Sequence, residues 1–576
     1  MMQGARALVE VLAGSGVRHV FGLPGDTGMP FYDALRDVRG QIDHIMTRDE
    51  RSASFMADVY ARVSGRLGVC EGPSGGGATY IVPGVAEAQG SAIPLLCLTS
   101  DTPVNQQGRG VLTELDQESL FRPVTKWNAR VNSAVTMAEA TRRAIRMATA
   151  GRPGATQLAL PTDSLEEDTP DASVYGVPEF GSAPAMRTLP DQALIERAAA
   201  ELAAAERPVI VAGGGVLTSQ AWAELTALAE ALNVPAATSI NGKGSIAETS
   251  DVSIGVIGGN GARPYANACL ADADLILYVG SRTDSTTTCH WTLPAHVNPP
   301  RIIQIDVEPF EVGNNYPVVV GLVGDAKLTL AAMLDAVPRP AAVATRNRPR
   351  INQLLSERTR FWDDVDRQAA IRSQPIKPAQ VVRALRQSLA DDALIVADPG
   401  TPTPFLSAQF ELRRAGRTTV IPRAHGGLGY AIPGVVGAWY AGDGRRVVGM
   451  TGDGSFGMSV GELETITRLG LPLVIIQCSN GTFGWIKELQ HLYHDDRYFG
   501  VDFNPVDYAA IARGFGLRSA HVSDPDQVER AVQDALADGG PYFLDVVTES
   551  PVTETPPVAA WTAAEATRVV AAGDER

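Results

Sequence analysis

Short apolar runs alternate with helix-like stretches along nearly the whole chain. The runs 93–100 (IPLLCLTS), 207–214 (RPVIVAGG), 274–281 (DLILYVGS), 301–307 (RIIQIDV), 394–398 (LIVAD), 446–454 (RVVGMTGDG) and 471–479 (LPLVIIQCS) are strand-length and rich in Val, Ile and Leu. They are apolar on both faces, the pattern of parallel strands covered by helices on either side. Stretches such as 219–233 (SQAWAELTALAEALN) space their apolar residues for a helix. Strand and helix in alternation predict an α/β fold of open parallel sheets. The first residues, 1–22, read as a short amphipathic helix followed by a strand, without the charged, apolar and small-residue order of a signal peptide.

Two stretches break the pattern. Residues 165–192 are rich in Pro, Ser, Gly and acidic residues, and 337–352 (VPRPAAVATRNRPRIN) reads as a second linker. The 576 residues thus divide into α/β domains at 1–168, 190–338 and 375–550, with a tail at 551–576 that is either a lid or a loose end. No internal repeat is visible. With 45% hydrophobic and 20% charged residues the chain is an ordinary globular protein. Its net charge of −16 argues against general nucleic-acid binding. No apolar run approaches the roughly 20 residues that span a bilayer, so no membrane partner is expected. The five cysteines are scattered, with no C-x-x-C spacing, which predicts a reducing cytoplasm and no structural zinc.

The most specific stretch is 452–480. A strand ends in Gly452-Asp453-Gly454-Ser455, whose glycines let the backbone turn sharply and approach a ligand. The next segment is helical, so its first amides point at whatever sits in the turn, a site for a diphosphate. A second strand ends at Asn480, followed by Gly481-Thr482. In a parallel sheet both strand ends emerge on one edge, so Asp453 and Asn480 converge on one hard cation; carboxylate, amide oxygen, carbonyl and diphosphate oxygens suit Mg²⁺.

Here the chain resembles the thiamine diphosphate enzymes of the acetolactate synthase, benzoylformate decarboxylase and benzaldehyde lyase group, nearest to acetolactate synthase large-subunit-like proteins. The resemblance spans nearly the full length and implies three open parallel-sheet domains: pyrimidine-binding, central Rossmann-like, and diphosphate-binding. It implies that Asp453, Asn480 and the Thr482 carbonyl hold Mg²⁺, and that Gly400 and Thr401 of the DPGT run (398–401) join Gly452, Gly454 and Ser455 against the diphosphate. Many members have Asn-Asn where this chain has Ser479-Asn480; the second position is the ligand.

The segments 19–35, 44–66 and 72–88 follow the family's order for the pyrimidine end. TRDE places Glu50 at the start of the helix after the second strand, with Asp49 where a His is common. Such a carboxyl, hydrogen-bonded to the aminopyrimidine, drives that ring into the imino form that removes the thiazolium proton, and a poorly solvated pocket raises its pKa towards the useful range. GGLGYAIPG (426–434) resembles the segment that bends the cofactor, with Gly426 in backbone contact and Leu428 as the bulky residue under the rings. In this family Glu50 of one subunit faces Asp453 of another, so a homodimer is the minimum active unit; a tetramer is common among relatives.

Towards the substrate, Gln117 in LTELDQESLFRP aligns with a glutamine near the reacting carbon, placed to polarise a carbonyl. Asp26 stands where pyruvate decarboxylase has an acid and acetolactate synthases more often Gly. Pro73 and Ser74 occupy the region of benzoylformate decarboxylase's active-site His. Trp485 and Leu489 fall on the helix that roofs the pocket, where acetolactate synthases often have Met and Trp. His491 and His494 read as solvated helix-end residues. The central domain, with Gly213 to Gly215 and Arg282, holds FAD, ADP or nothing in different relatives, and Arg282-Thr283-Asp284-Ser285 departs from the Arg-Phe-Asp-Asp of flavin-holding members.

The resulting expectation is decarboxylation of a 2-oxo acid with carboligation to an acceptor carbonyl. The alternative is a carbon–carbon lyase of a 2-hydroxyacyl-CoA or 2-hydroxy ketone. A non-catalytic cofactor-binding protein is a third reading, disfavoured by Glu50, Asp453 and Asn480 occurring together.

Overall fold

The computed structural model describes residues 2–170 and 174–574, with side chains described to Arg568. Residues 171–173 of the expected 165–192 linker, with Met1, Glu575 and Arg576, lie outside the described residues. Three six-stranded sheets carry the fold. The first holds His19–Gly22, Asp43–Met46, Gly68–Gly72, Leu95–Asp101, Trp127–Arg130 and Ala155–Pro161. The second holds Pro208–Ala212, Ala236–Thr238, Ser253–Val256, Leu275–Val279, Arg301–Asp306 and Val320–Val323. The third holds Leu394–Ala397, Thr419–Val420, Val447–Gly452, Val474–Ser479, Arg518–Val522 and Tyr542–Val547. Every pairing within these sheets is parallel.

Counted along the chain, strands in the first and third sheets share the order 2-1-3-4-6-5, and the middle sheet runs 3-2-1-4-5-6. The first and last domains are therefore topological twins, although no repeat is legible in the sequence. The apolar runs are strands because both faces are covered: all seven residues of Leu95–Asp101 and all five of Pro208–Ala212 and Leu275–Val279 are buried.

The first and third domains share one core. Phe21, Phe55, Val59 and Cys70 belong to the same buried cluster as Val396, Tyr430, Val435, Ile475 and Phe543. The seam is the helix Glu50–Ser64 against the helix Ala431–Ala441. Gly437 makes the approach possible: a Cβ there would lie 2.1 Å from the Met56 carbonyl oxygen.

The stretch 337–352, expected as an irregular linker, is mostly helical. It enters a 30-residue helix, Pro340–Ala369, with Pro340 in its first turn and Pro349 inside it. Its inward face, Val343, Asn347, Ile351 and Leu354, has helical spacing, but Asn347 interrupts the apolar pattern; its amide donates to the Leu232 carbonyl at 2.9 Å. The tail is docked. Gly261 donates to the Pro557 carbonyl at 2.8 Å and Ala559 to that of Gly259 at 3.1 Å, and a helix follows from Ala559 to Asp574. Among the described residues no helix is long and apolar enough to cross a membrane.

Candidate active site

In the third sheet the strand order reverses between Leu394–Ala397 and Val447–Gly452, the kind of crevice in which open α/β sheets hold ligands. A cleft of about 350 Å³ opens there. Its walls include Gly400, Thr401, Gly426, Leu428, Gly452, Asp453, Gly454, Ser455, Asn480, Thr482 and Trp485, together with Arg423 and Phe483. The diphosphate-end residues expected from the sequence thus share one cavity. Gly454 has to be glycine, since a Cβ would meet the Phe483 ring at 2.7 Å.

Asp453 is 5% exposed. One carboxylate oxygen accepts the Gly454 amide at 3.0 Å; the other accepts the amides of Asn480 at 2.9 Å and Gly481 at 2.7 Å. Burial raises its pKa, and the three amides oppose the rise. The Asn480 side-chain oxygen is buried without a hydrogen-bond partner among the described residues. Leaving such an acceptor dry costs on the order of 1–3 kcal/mol, so a carboxylate beside an unsatisfied amide oxygen fits a hard cation. The Thr482 carbonyl accepts the Gly484 amide at 2.8 Å, which leaves its second lone pair. Among the described residues no group of three His, Cys, Asp or Glu is placed to hold a metal; the set expected from the sequence, Asp453, Asn480 and the Thr482 carbonyl, has a single carboxylate and would rely on neutral oxygens.

Asp398, at the head of the DPGT run, is an anchor that the motif reading passed over. Fully buried, it accepts the Tyr430 amide at 2.7 Å, the Ala431 amide at 3.2 Å and the Thr451 hydroxyl at 2.8 Å. Burial pushes its pKa up to about 6 against these donors. It ties the ends of two strands to the segment that carries Gly426 and Leu428.

Trp485 lines the cleft and packs on Trp561 of the tail, ring centroids 4.2 Å apart. Leu489 belongs to the same small cluster, outside the cleft wall. Trp561, the tail's only aromatic residue, was the available signal for this contact. His494 is exposed as expected, but His491 is not a solvated helix end: it pairs with Asp496 and, at 3.3 Å, with Glu565.

The pyrimidine-end residues gather at the carboxyl edge of the first sheet. Glu50 opens its helix, capped by the Asp49 carboxylate on the Arg51 amide, and is 6% exposed. Burial raises its pKa; its own amide opposes this, while Asp49 and Glu71 add to it. It faces the short helix Gly76–Tyr80 that follows Gly72: a Cβ on Gly77 would lie 3.1 Å from its Oε1. Glu71, one residue before Gly72, is itself buried and accepts the Tyr32 hydroxyl, with His44 Nε2 at 3.1 Å. Asp26 is exposed and accepts the Thr27 amide at 2.8 Å. The Thr27 hydroxyl lies 3.1 Å from that of Ser74 and 2.8 Å from that of Ser100. Gln117, 2% exposed, donates to the Ser100 carbonyl at 2.9 Å and accepts the Thr99 hydroxyl. Both ends of its amide are therefore engaged within the first domain. None of Glu50, Asp26, Ser74 and Gln117 lines the cleft of the same chain.

A second cavity sits at the reversal point of the central sheet, between the ends of Pro208–Ala212 and Leu275–Val279. Gly213 to Gly215, Arg282 and Asp306 line it, and Arg152 reaches it from the first domain. Burial pushes the Asp306 pKa up to about 6.

Three family models match in order: the N-terminal thiamine pyrophosphate (TPP)-binding domain of thiamine pyrophosphate enzymes over residues 2–120, their central domain over 195–333 and their C-terminal TPP-binding domain over 398–546. The chain is 33% identical to a probable acetolactate synthase large subunit of Methanococcus aeolicus, over 96% of this chain and 94% of that one. It is 32% identical to the probable acetolactate synthase large subunit of Methanocaldococcus jannaschii, over 95% and 92%. It is 30% identical to the acetolactate synthase isozyme 3 large subunit of Escherichia coli, over 93% and 92%. With this sequence kinship, a metal-suited cleft on the last sheet and a buried glutamate on the first, the chain belongs to the thiamine diphosphate-dependent carboligases and decarboxylases of the acetolactate synthase kind.

Proposed function

We propose that the enzyme uses thiamine diphosphate and Mg²⁺ to decarboxylate a 2-oxo acid and to join the retained fragment to an acceptor carbonyl. The observation that carries this reading is the buried, unpartnered oxygen of Asn480 beside Asp453 in a cleft that also contains Leu428. Asp453, Asn480 and the Thr482 carbonyl hold the metal, and Gly400, Thr401, Gly452, Gly454 and Ser455 meet the diphosphate. Thiamine diphosphate supplies the electron sink for the carboxylate's departure. Leu428 and Gly426 support its rings. Glu50, kept protonated more readily by its burial, hydrogen-bonds the pyrimidine and maintains the tautomer that takes up the thiazolium proton. Trp485 narrows the substrate side, and Asp26, Ser74 and Gln117 stand at the edge that brings Glu50.

The separation of the Glu50 group from the cleft within one chain supports a homodimer in which each site draws on both protomers, with a tetramer as the larger assembly. The central cavity, flanked by Arg152, Arg282 and Asp306, suits a nucleotide of the FAD or ADP type. A cytoplasmic setting agrees with five unpaired cysteines. The two arginines of that cavity, Arg152 and Arg282, and the docked tail favour one second reading, carbon–carbon cleavage of a 2-hydroxyacyl-CoA.

Incubation with pyruvate, thiamine diphosphate and Mg²⁺ is expected to release carbon dioxide and form acetolactate or acetoin. Glu50→Gln should lower that rate by on the order of 10²–10⁴ while cofactor binding persists. Silence with a broad panel of 2-oxo acids, alongside formyl-CoA release from a 2-hydroxyacyl-CoA, would select the second reading instead.

A further inference from the structure

Residues 423–430 carry Gly426 and Leu428 into the cleft without forming helix or strand. The bonds that fix their backbone come in large part from the first domain of the same chain. Glu87, 1% exposed, accepts the amides of Ala424 at 3.2 Å and His425 at 2.7 Å on one carboxylate oxygen. Arg62 donates to the other oxygen of Glu87 at 2.9 Å and to Asp58 at 2.8 Å. Asp58, wholly buried, accepts the hydroxyl of Tyr430, and Ser91 donates to Glu87 at 2.8 Å. One buried network therefore grips the segment at Ala424 and His425 and again at Tyr430. Burial alone would raise the Glu87 pKa, but Arg62, the two amides and the Ser91 hydroxyl outweigh it and lower it, so the carboxylate stays ionised and acts as a strong acceptor.

We propose that Glu87, held by Arg62, which Asp58 holds in turn, is a positioning residue for catalysis: it fixes segment 423–430 so that Leu428 and Gly426 support the cofactor in its reactive conformation. This deepens the function proposed above and rests on it. The geometry has a further consequence. Asp58 and Arg62 lie on the helix Glu50–Ser64, about 12 and 18 Å along its axis from Glu50. In the proposed dimer Glu50 serves the neighbour's cofactor and Leu428 its own chain's, so this one helix braces two sites.

The test uses Glu87→Gln, which keeps the shape but turns an amide group towards backbone donors, with Glu87→Asp as the conservative rescue. Two quantities are read: amide hydrogen exchange of residues 423–431 without added cofactor, and exchange of the thiazolium C2 proton of bound thiamine diphosphate with Mg²⁺. In Glu87→Gln the amides are expected to exchange about 10- to 100-fold faster, and C2 exchange should slow by about tenfold or more with the cofactor still bound. Exchange across 453–480 should stay at the parent level, and Glu87→Asp should recover part of both losses. Parent-like amide exchange overturns the proposal, and so does loosening of the segment with an unchanged C2 rate, which would make the network merely structural. If Glu87→Gln does not fold, Tyr430→Phe decides on the same two readouts, since it keeps the ring and removes only the bond to Asp58. Glu50→Gln separates the two ideas: parent-rate C2 exchange in that variant sinks the assigned role of Glu50, whereas the amide measurement on Glu87→Gln in cofactor-free protein judges the brace independently.

Discussion

Asn480 shows how much a single side chain discloses once its surroundings are known. Its place after a strand marked it as a metal ligand, but a strand-ending Asn is also an ordinary turn residue. What distinguishes the two roles is a buried oxygen that has no hydrogen-bond partner among the described residues. Replacing it with Ala removes no protein–protein bond made by that oxygen, so the fold should be nearly as stable as before. Mg²⁺ affinity should drop by about tenfold or more. Titrating Mg²⁺ against cofactor-dependent fluorescence, with a thermal melt of the metal-free protein alongside, checks both halves; a large fall in melting temperature at unchanged affinity would mean that Asn480 is structural. Other site residues were not legible at this scale. Asp398 sat unnoticed at the head of a recognised motif, because its task is to bind amides some thirty residues further on. The Tyr32–Glu71–His44 group depends on three separate strands and helices meeting. Gln117 was legible as a position, but its double engagement by Thr99 and Ser100 was not.

At the scale of elements, strands were easier to read than the helix Pro340–Ala369. A strand covered on both faces is apolar throughout and needs no periodicity to be seen, as in Leu275–Val279. The long helix is polar on most of its surface, contains Pro349 and places Asn347 in its buried stripe, so its period is hidden where the chain looks most linker-like. The tail presents a similar case: only Trp561 announced that it packs on the helix Gly484–Tyr493. That contact holds a titratable switch point. Glu488 is wholly buried in the helix Gly484–Tyr493. Burial pushes its pKa up to about 7, with His491 and Arg568 pulling it down and Glu565 pushing it further up. A carboxyl with a raised pKa favours the docked state while protonated. Its contribution is complete below the ordinary carboxylate pKa near 4.5 and is lost as pH rises through about 7. Proteolysis of residues 551–568, or their hydrogen exchange relative to the intrinsic rate at each pH, should therefore quicken by about tenfold between pH 6 and pH 8. Glu488→Gln should flatten that dependence. A tail equally protected at both pH values in the parent protein would contradict the assignment.

At the scale of the whole molecule, the organisation into three parallel sheets was legible because alternation of strand and helix leaves few alternatives. The matching strand order of the first and third domains was not, since their equivalent edges carry different chemistry: Glu50, Asp26 and Ser74 on one, Asp453 and Thr401 on the other. That twinning supports an assembly in which like edges from two protomers face one another. Mixing two inactive proteins tests it directly. In a dimer with shared sites, a Glu50→Gln chain paired with an Asp453→Asn chain places both lesions in one site and leaves the other intact. Random re-pairing of equal amounts makes about half the dimers mixed, so about a quarter of all sites should recover. Activity should climb to about a quarter of the parent level after subunits exchange, and mixing at concentrations that prevent exchange should give none. If each chain instead built its own complete site, no ratio or incubation time would restore turnover, because every chain would carry one lesion in the only site it serves.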